Sequence, residues 1–397
     1  MVLKAFKLRL YPNKTQRNQI HVNFGCARFV WNQMLNMHIE RYKNNKKAKF
    51  QGRYSMDVML KALKIEYPWL KQAESTSLQR VNRDLDDAFQ RFFNPDLQNG
   101  FPRFKSKKNT NQSYTSKFVN NNIRIVDEHH IKLPKLGLVY FKAGRILNGK
   151  IRAVTVSVNS RKQYQASILV EGENQTFKKT KKSVGIDLGL KSLTITSDGQ
   201  KEDILKVDDR LNKKLRIWER KKSRRYENAK KAMAFDEHDK VLFPRTDLKQ
   251  FPRYQQAVRT VAKLKRHIAE RRRDNLHKLT TRLVKDYDTI VVENLSVKNM
   301  MKNHHLSASI ANASWGTLIS QLKYKCAWYG KKLIIIDPKN TSRICHECKQ
   351  KNHEFDSLSQ SEWLAAREWD CPNCHAHLDR DVNAAKNILA KGLETLS

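Results

Sequence analysis

A chain of 397 residues with 78 Lys+Arg against 39 Asp+Glu carries a formal charge of +39, and in compact form it repels itself unless a polyanion neutralises it. The basic residues run along the whole length, not in one tail, which points to a nucleic acid lying in a long channel and bound through many phosphate contacts. Ribosomal and chromatin proteins can be equally basic, but 39% hydrophobic residues and seven Trp allow sizeable cores in two or three domains. No stretch approaches the ~18–20 consecutive apolar residues of a membrane span, and the start alternates like a strand instead of showing a signal peptide's apolar core. A cytoplasmic location with no membrane partner is expected.

In chain order, Phe6-Lys7-Leu8-Arg9-Leu10 alternates apolar and basic residues, as a half-buried strand does. Pro12 and Asn13 then break the strand, and Asn13 with Gln16 forms a capping-box pattern for a helix to about residue 40. Ser55 and Ser75 read as caps of two further helices, the second placing Leu78, Val81, Leu85, Ala88, Phe89 and Phe92 on one face. The basic, aromatic run GFPRFKSKKNTNQSYT (100–115) has little periodicity and suits a loop laid on nucleic acid, with a solvated linker as the alternative. From about 117 to 180 the pattern turns to β, with Val154–Val158 and Ala166–Val170 rich in β-branched residues, forming a small barrel or sheet with the N-terminal strand. Strands are predicted at Val184–Leu188 and Leu193–Thr196, then a highly charged helical stretch from about 203 to 285. Within it KKLRIWERKKSRRYENAKK (213–231) reads as a phosphate-tracking helix or a solvated one.

Carboxylates recur at the ends of apolar segments. SVGIDLGLKSLTI (183–195) sets Asp187 in an apolar strand, where an ionised carboxylate is costly unless a cation compensates it. Gly185 and Gly189 beside it permit a close backbone or phosphate approach. Thr289–Val292 runs into Glu293, and Leu333–Ile336 runs into Asp337. DRDVNAAKNIL (379–389) puts Asp381 at the start of a helix whose Ala384 and Ala385 allow close packing on a sheet. Phosphodiester hydrolysis needs transition-state charge neutralised and a water deprotonated, and two Mg²⁺ held by a few carboxylates do both.

Of six cysteines, Cys26 and Cys326 stand alone and are expected to be buried and inert. Cys345, Cys348, Cys371 and Cys374 form two C-x-x-C pairs 22 residues apart, just beyond the usual zinc-ribbon spacing; four thiolates make a closed shell, so a structural Zn²⁺ is expected, with a redox dithiol pair as the other reading. His346, His375 and His377 are near enough to compete as ligands.

The trio GIDLG, VVENL and DRDVNAAKNIL resembles the RuvC motifs I, II and III of TnpB, the transposon-encoded relatives of type V CRISPR effectors. KLRLYPNKTQ, GCARFVWNQML, GFPRFKSKKN, RRRDNLHKLT (271–280) and DPKNTSRICHEC with REWDCPNC extend the likeness over nearly the whole chain. The chain departs from the family in a longer stretch before RRRDNLHKLT, a wider gap between the C-x-x-C pairs, and His375 where a glycine usually follows the last cysteine. The resemblance implies a multi-domain α/β protein: a wedge β-barrel (1–12 and 117–180) with an inserted helical recognition module (13–116), a ribonuclease H-like RuvC nuclease (181–340 and 377–397), and a zinc-ribbon insertion (341–376). By motif position Asp187, Glu293 and Asp381 are the catalytic Mg²⁺ ligands, with Mn²⁺ as a possible substitute, while Asp379 caps or orients.

The implied activity is RNA-guided cleavage of double-stranded DNA beside a short adjacent motif, by a protein expected as a monomer on a transposon-end guide RNA, with a dimer as the alternative. Gln79 on its helix and Ser113, Tyr114 and Thr115 in the following loop are candidates for the motif-reading surface, with capping and surface polarity as the alternative. Lys213, Lys214, Arg220, Lys221 and Lys222 are candidates for phosphate contacts. The rival readings are a nuclease-inactive RNA-guided DNA-binding regulator, a DNA-strand transferase, and a guide-independent junction resolvase. No helix-turn-helix or finger array able to read a long site is recognisable in the sequence.

Overall fold

The computed structural model describes residues 2–97, 99–109, 111–142, 149–159, 162–173, 176–203, 209–232, 248, 250–303, 307–356 and 366–395. They form two compact units, Met1–Glu173 and Asn174–Ser397.

The first unit combines helices with one antiparallel sheet. Strand β1 (Val2–Leu10) turns Leu8 and Leu10 inward and Lys7 and Arg9 outward, as the alternation predicts. Helix α1 (Lys14–Asn44) opens on the expected capping box: the Asn13 side chain accepts from the Gln16 N–H at 2.9 Å, and the Gln16 side chain accepts from the Asn13 N–H at 3.0 Å. Helix α2 (Arg53–Glu66) starts after Gly52, so Ser55 lies inside its first turn and does not cap it. Helix α3 (Ser75–Phe93) is capped by Glu74, one residue before the expected Ser75.

The cap at Glu74 explains how the next strand is placed. Its buried carboxylate accepts from Thr76 N–H at 2.8 Å, from Ser77 N–H at 2.6 Å and from the Ser116 hydroxyl at 3.0 Å. Ser116 belongs to β2 (Gln112–Lys117), so the cap of α3 doubles as an anchor for that strand. Residues 112–115, expected in a loop, therefore pair with the sheet.

The remaining strands are β3 (Arg124–Ile125), β4 (His130–Leu133), β5 (Gly137–Lys142), β6 (Lys150–Val158) and β7 (Tyr164–Gly172). Their order is β2-β6-β7-β1-β5-β4-β3, every pair antiparallel. No ladder joins the edge strands β2 and β3 among the described residues, so the expected barrel is here an open sheet. One core links the sheet to the three helices through Phe24, Met34, Leu60, Leu78, Leu85 and Ile168.

The second unit is built on a five-stranded sheet. In chain order it contains β8 (Ser183–Asp187), β9 (Ser192–Thr196), β10 (Lys201–Asp203), α4 (Asp209–Lys231), α5 (Pro252–Asp286) and β11 (Thr289–Glu293). There follow α6 (Val297–Met300), α7 (Ser307–Ala313), α8 (Trp315–Tyr329), β12 (Lys332–Ile336), β13 (Glu368–Asp370), β14 (His377–Asp379) and α9 (Arg380–Glu394).

The sheet order is β10-β9-β8-β11-β12. β8, β11 and β12 are parallel, and β9 and β10 are antiparallel to their neighbours. Both faces are covered, which is why the parallel strands read as unbroken apolar runs. Ile290 and Val292 face a core with Leu279 and Leu283 of α5 and Leu318 and Leu322 of α8, while Val291 faces Ile388 of α9. No helix of the described residues is long and apolar enough to cross a membrane.

Candidate carboxylate and metal sites

Parallel pairing fixes two of the acids. Val292 stands opposite Ile186, so the next residues, Glu293 and Asp187, end neighbouring strands at the same edge of the sheet. β12 pairs Ile336 with Glu293, which brings Asp337 to that edge as well.

Helix α9 delivers Asp381 to the same place. A Cβ at Gly185 would lie 2.1 Å from the Ala385 carbonyl oxygen, and one at Gly392 would lie 2.3 Å from a Val291 methyl. Only glycine at both positions lets the helix rest on β8 and β11 so closely. Gly189 instead serves the turn into β9, where a Cβ would meet the Ser192 carbonyl at 2.7 Å.

Asp379 caps α9, accepting from the N–H groups of Asp381 at 3.0 Å and Val382 at 2.9 Å, and its other oxygen accepts from Lys201 at 2.5 Å. Burial raises its pKa, but the Lys201 and backbone hydrogen bonds outweigh that and leave it below the usual carboxylate value.

Asp187 feels the other two acids. Burial, then the charges of Glu293 and Asp381, push Asp187 up to about 7, partly offset by the Leu188 N–H and by Arg380. Glu293 is 5% exposed, and burial raises it against a 2.5 Å hydrogen bond from the Thr341 hydroxyl. Burial and neighbouring like charges are the ordinary causes of such raised carboxylates.

Asp381 accepts at one oxygen from Arg380 at 2.9 and 3.1 Å and at the other from Arg367 at 3.3 Å. Arg380 is itself buried and donates to the Ala366 carbonyl at 2.9 Å. Sequence reasoning missed Thr341, Arg367 and Arg380: Thr341 lies 48 positions from its partner Glu293, and in a chain this basic nothing sets Arg367 or Arg380 apart from the other arginines.

The four cysteines form the group whose ligand atoms all lie within 4.8 Å of one another among the described residues; the three acids are spread more widely. Cys345 and Cys374 sulfurs are 3.7 Å apart, and those of Cys348 and Cys371 are 3.6 Å apart. A tetrahedron with Zn–S bonds of about 2.3 Å has edges of about 3.8 Å, so the donors fit zinc. The two turns repeat one geometry: Lys349 N–H donates to the Cys345 carbonyl at 3.0 Å and His375 N–H to the Cys371 carbonyl at 2.9 Å. Both donors sit at positive φ, 62° and 57°, a conformation that favours glycine. His377 is exposed and turned to Asp370. His346 pairs with α9, where Asn383 accepts from its N–H at 2.8 Å. Asn383 and Asn387 also donate to the Ile344 carbonyl at 2.8 and 2.6 Å, tying the cysteine turn to the helix that carries Asp381. The two lone cysteines, Cys26 and Cys326, are buried, and burial raises both thiols.

Known proteins with this arrangement bear on its identity. A family described as Cas12f1-like, TNB domain matches residues 315–388, one described as "Probable transposase" matches 165–304, and a helix-turn-helix domain matches 1–47. A protein of Streptomyces pristinaespiralis named as an RNA-guided DNA endonuclease is 33% identical over 99% of this chain and 90% of its own length. The Escherichia coli (strain K12) protein InsQ, named likewise, is 31% identical over 100% of this chain and 94% of its own. The chain belongs to the TnpB family. A Cas12f1–sgRNA–target DNA complex matches the fold with a TM-score of 0.57 over 98% of both chains at 13% identity.

Against the TnpB family models, the helix-turn-helix description covers a segment with no such motif in this structure: residues 2–44 are one strand and one unbroken helix. The candidate base-reading residues are scattered in kind. Gln79 is exposed on α3 and Ser113 is exposed on β2. Tyr114 is 5% exposed and packs edge-on against Phe24, and Thr115 bonds to Thr155 across β6 at 2.8 Å. Tyr114 is therefore part of the core and presents no surface to a base. On α4, Lys213, Lys214 and Arg220 are exposed, Lys222 is half-buried, and Lys221 lies over the Trp218 ring at 5.0 Å. The basic loop is not a free linker: Trp31 of α1 donates to the Arg103 carbonyl at 3.0 Å, Asn32 exchanges two hydrogen bonds with Lys105, and the Lys105 ammonium sits 3.6 Å from the Trp31 ring centre.

Proposed function

We propose that this protein is an RNA-guided DNA endonuclease whose nuclease centre is the edge shared by Asp187, Glu293 and Asp381. The observation that carries the reading is the convergence of Asp187, Glu293 and Asp381 at one end of the parallel strands, where burial and the charges of Glu293 and Asp381 raise Asp187 and burial raises Glu293, within a TnpB-family chain whose curated relatives bear that name. The order β10-β9-β8-β11-β12, with three parallel strands and an antiparallel hairpin, supports a ribonuclease H-like, RuvC-type assignment. Asp187, Glu293 and Asp381 would hold Mg²⁺ or Mn²⁺, which when bound supplies Lewis-acid charge and a water of lowered pKa.

The chain's own residues prepare the site. Gly185 and Gly392 seat α9, Asp379 caps it, and Arg380 and Arg367 hold the Asp381 carboxylate until a cation competes for it. Cys345, Cys348, Cys371 and Cys374 would hold a structural zinc, and Asn383 and Asn387 connect that turn to the catalytic helix. The net charge of +39 suits a guide RNA and a target DNA as partners, with sequence recognition delegated to base pairing. The test is cleavage of a matching DNA by purified protein with its copurified RNA and Mg²⁺. Loss of cutting in Asp187→Ala, with RNA still bound, is expected; cutting by RNA-free protein would overturn the guided reading.

A further inference from the structure

The first unit carries a cavity of about 760 Å³ between the C-terminal half of α1, the segment after it, the end of α3 and Phe101. Its wall is aromatic. Phe89 and Phe93 lie nearly parallel at 5.9 Å, and Phe92 meets Phe101 edge-on at 5.3 Å. His38 stacks on Phe50 at 4.9 Å. Phe93 is 52% exposed, and Phe92 and Phe101 are also open to solvent. So much unsatisfied aromatic surface is unusual on a soluble face unless something covers it.

The rim is cationic. Arg41, Lys43, Lys46 and Lys49 line it, and no Asp or Glu does; Glu40 lies just outside and pairs with Lys43 at 3.0 Å. A second copy of a chain with +39 would bring like charges to this rim, whereas a polyanion is attracted. Inside, the His38 Nε2 is buried and has no hydrogen-bond partner. Burial, then Arg41, lower the pKa of that imidazole against the raising charge of Asp86. Aromatic faces and a cationic rim together describe a receptor for a base whose flanking phosphates stay outside.

We propose that this cavity takes an unpaired nucleobase of the bound RNA, stacked on the exposed Phe93 with the inclined rings of Phe92 and Phe101 against its edge, and with the adjoining phosphates on Arg41, Lys46 and Lys49. RNA is the favoured source because folded RNA presents bulged and looped bases permanently, whereas duplex DNA must first be melted to present one. The inference rests on the RNA-binding reading above.

The test uses the full-length protein with its copurified RNA, comparing wild type with Phe92→Leu/Phe93→Leu, which keeps apolar bulk but removes the ring faces, and with Phe92→Tyr/Phe93→Tyr, which restores them. RNA binding is expected to weaken about 10-fold in the leucine variant and to return in the tyrosine variant, while zinc content and melting temperature stay at wild-type values. Ultraviolet crosslinking of the wild-type complex should place a nucleotide adduct on a peptide containing Phe92, Phe93 or Phe101. Unchanged RNA affinity in the leucine variant would overturn the proposal. So would weaker target-DNA capture at unchanged RNA affinity, which assigns the cavity to DNA, or a change of oligomeric state at unchanged RNA affinity, which assigns it to a second copy. If wild-type protein holds no RNA at all, the guided reading itself fails, which is a different result from indifference to the leucine pair.

Discussion

Asp379 and Asp381 stand two residues apart and have opposite duties. Asp379 spends one oxygen on the first N–H groups of α9 and the other on Lys201, whereas Asp381 points its carboxylate at two guanidinium groups beside Asp187 and Glu293. Asp381→Ala should therefore abolish Mg²⁺-dependent cleavage with RNA binding intact, and Asp379→Ala should cost about 1 kcal/mol of stability as a lost cap while keeping more activity. Measured cleavage rates in the reverse order would exchange the two roles. Asp187 adds a pH signature. Its folded value of about 7 lies above the unfolded value of about 3.9, so the folded state binds the extra proton between those limits. The stabilising contribution is fully present below about pH 4 and is lost as pH rises through about 7. In Mg²⁺-free buffer the melting temperature should fall over that window, and Asp187→Asn should flatten the fall; a slope unchanged in the variant would mean that another group carries it.

Helix α9 shows what the sequence does and does not disclose about an element. The small residues Ala384 and Ala385 signal close packing on a sheet, and the structure sets Ala385 against Gly185. Gly185→Ala should force that contact apart, at about 1–3 kcal/mol, and slow cleavage by displacing Asp381; a variant with wild-type melting and activity would refute the docking argument. The capping box at Asn13, the strands around Val154 and Ala166, and the ends of β8 and β11 were legible because their signals are local in pattern. Glu74 replacing Ser75 as a cap was not, since a longer acid can reach back to the same N–H groups when Ser116 and Asn23 hold it in place. Nor was β2, whose polar Gln112–Lys117 resembles a loop until its pairing with β6 is seen. At the carboxylate edge the acids could be read from the strands they end, but Arg367 and Arg380 could not, because their relevance arises only when α9 closes over the sheet. The cysteine turns offer a further test. His375 and Lys349 hold positive φ, at a cost on the order of 1 kcal/mol each, so His375→Gly should raise the melting temperature of the zinc-loaded protein slightly. A clear decrease would show that the His375 side chain contributes more than its backbone strain removes.

For the whole molecule the governing quantity is charge. With +39 over 397 residues, the protein gains from any polyanion, and a large structured RNA supplies enough phosphates to neutralise most of that excess. Such binding is tight, salt-sensitive and indifferent to sequence, so it cannot by itself select a cutting site. Direct reading of a long DNA site would need a helix or finger array presented to a groove, and the segment matched by a helix-turn-helix model is one strand and one continuous helix. Selection then falls to base pairing with the bound RNA, as in other effectors that delegate sequence to a guide. Replacing the variable end of the RNA, and offering two DNAs that differ only in the stretch matching the old or the new guide, should redirect cleavage entirely to the DNA complementary to the new guide. Raising the salt concentration should weaken RNA capture steeply, by the counterion-release dependence of many phosphate contacts, without changing which DNA is cut once the complex has formed. Cleavage that ignores the new guide, or a choice of DNA that shifts with salt, would mean that the protein surface does the reading and that the pairing argument fails.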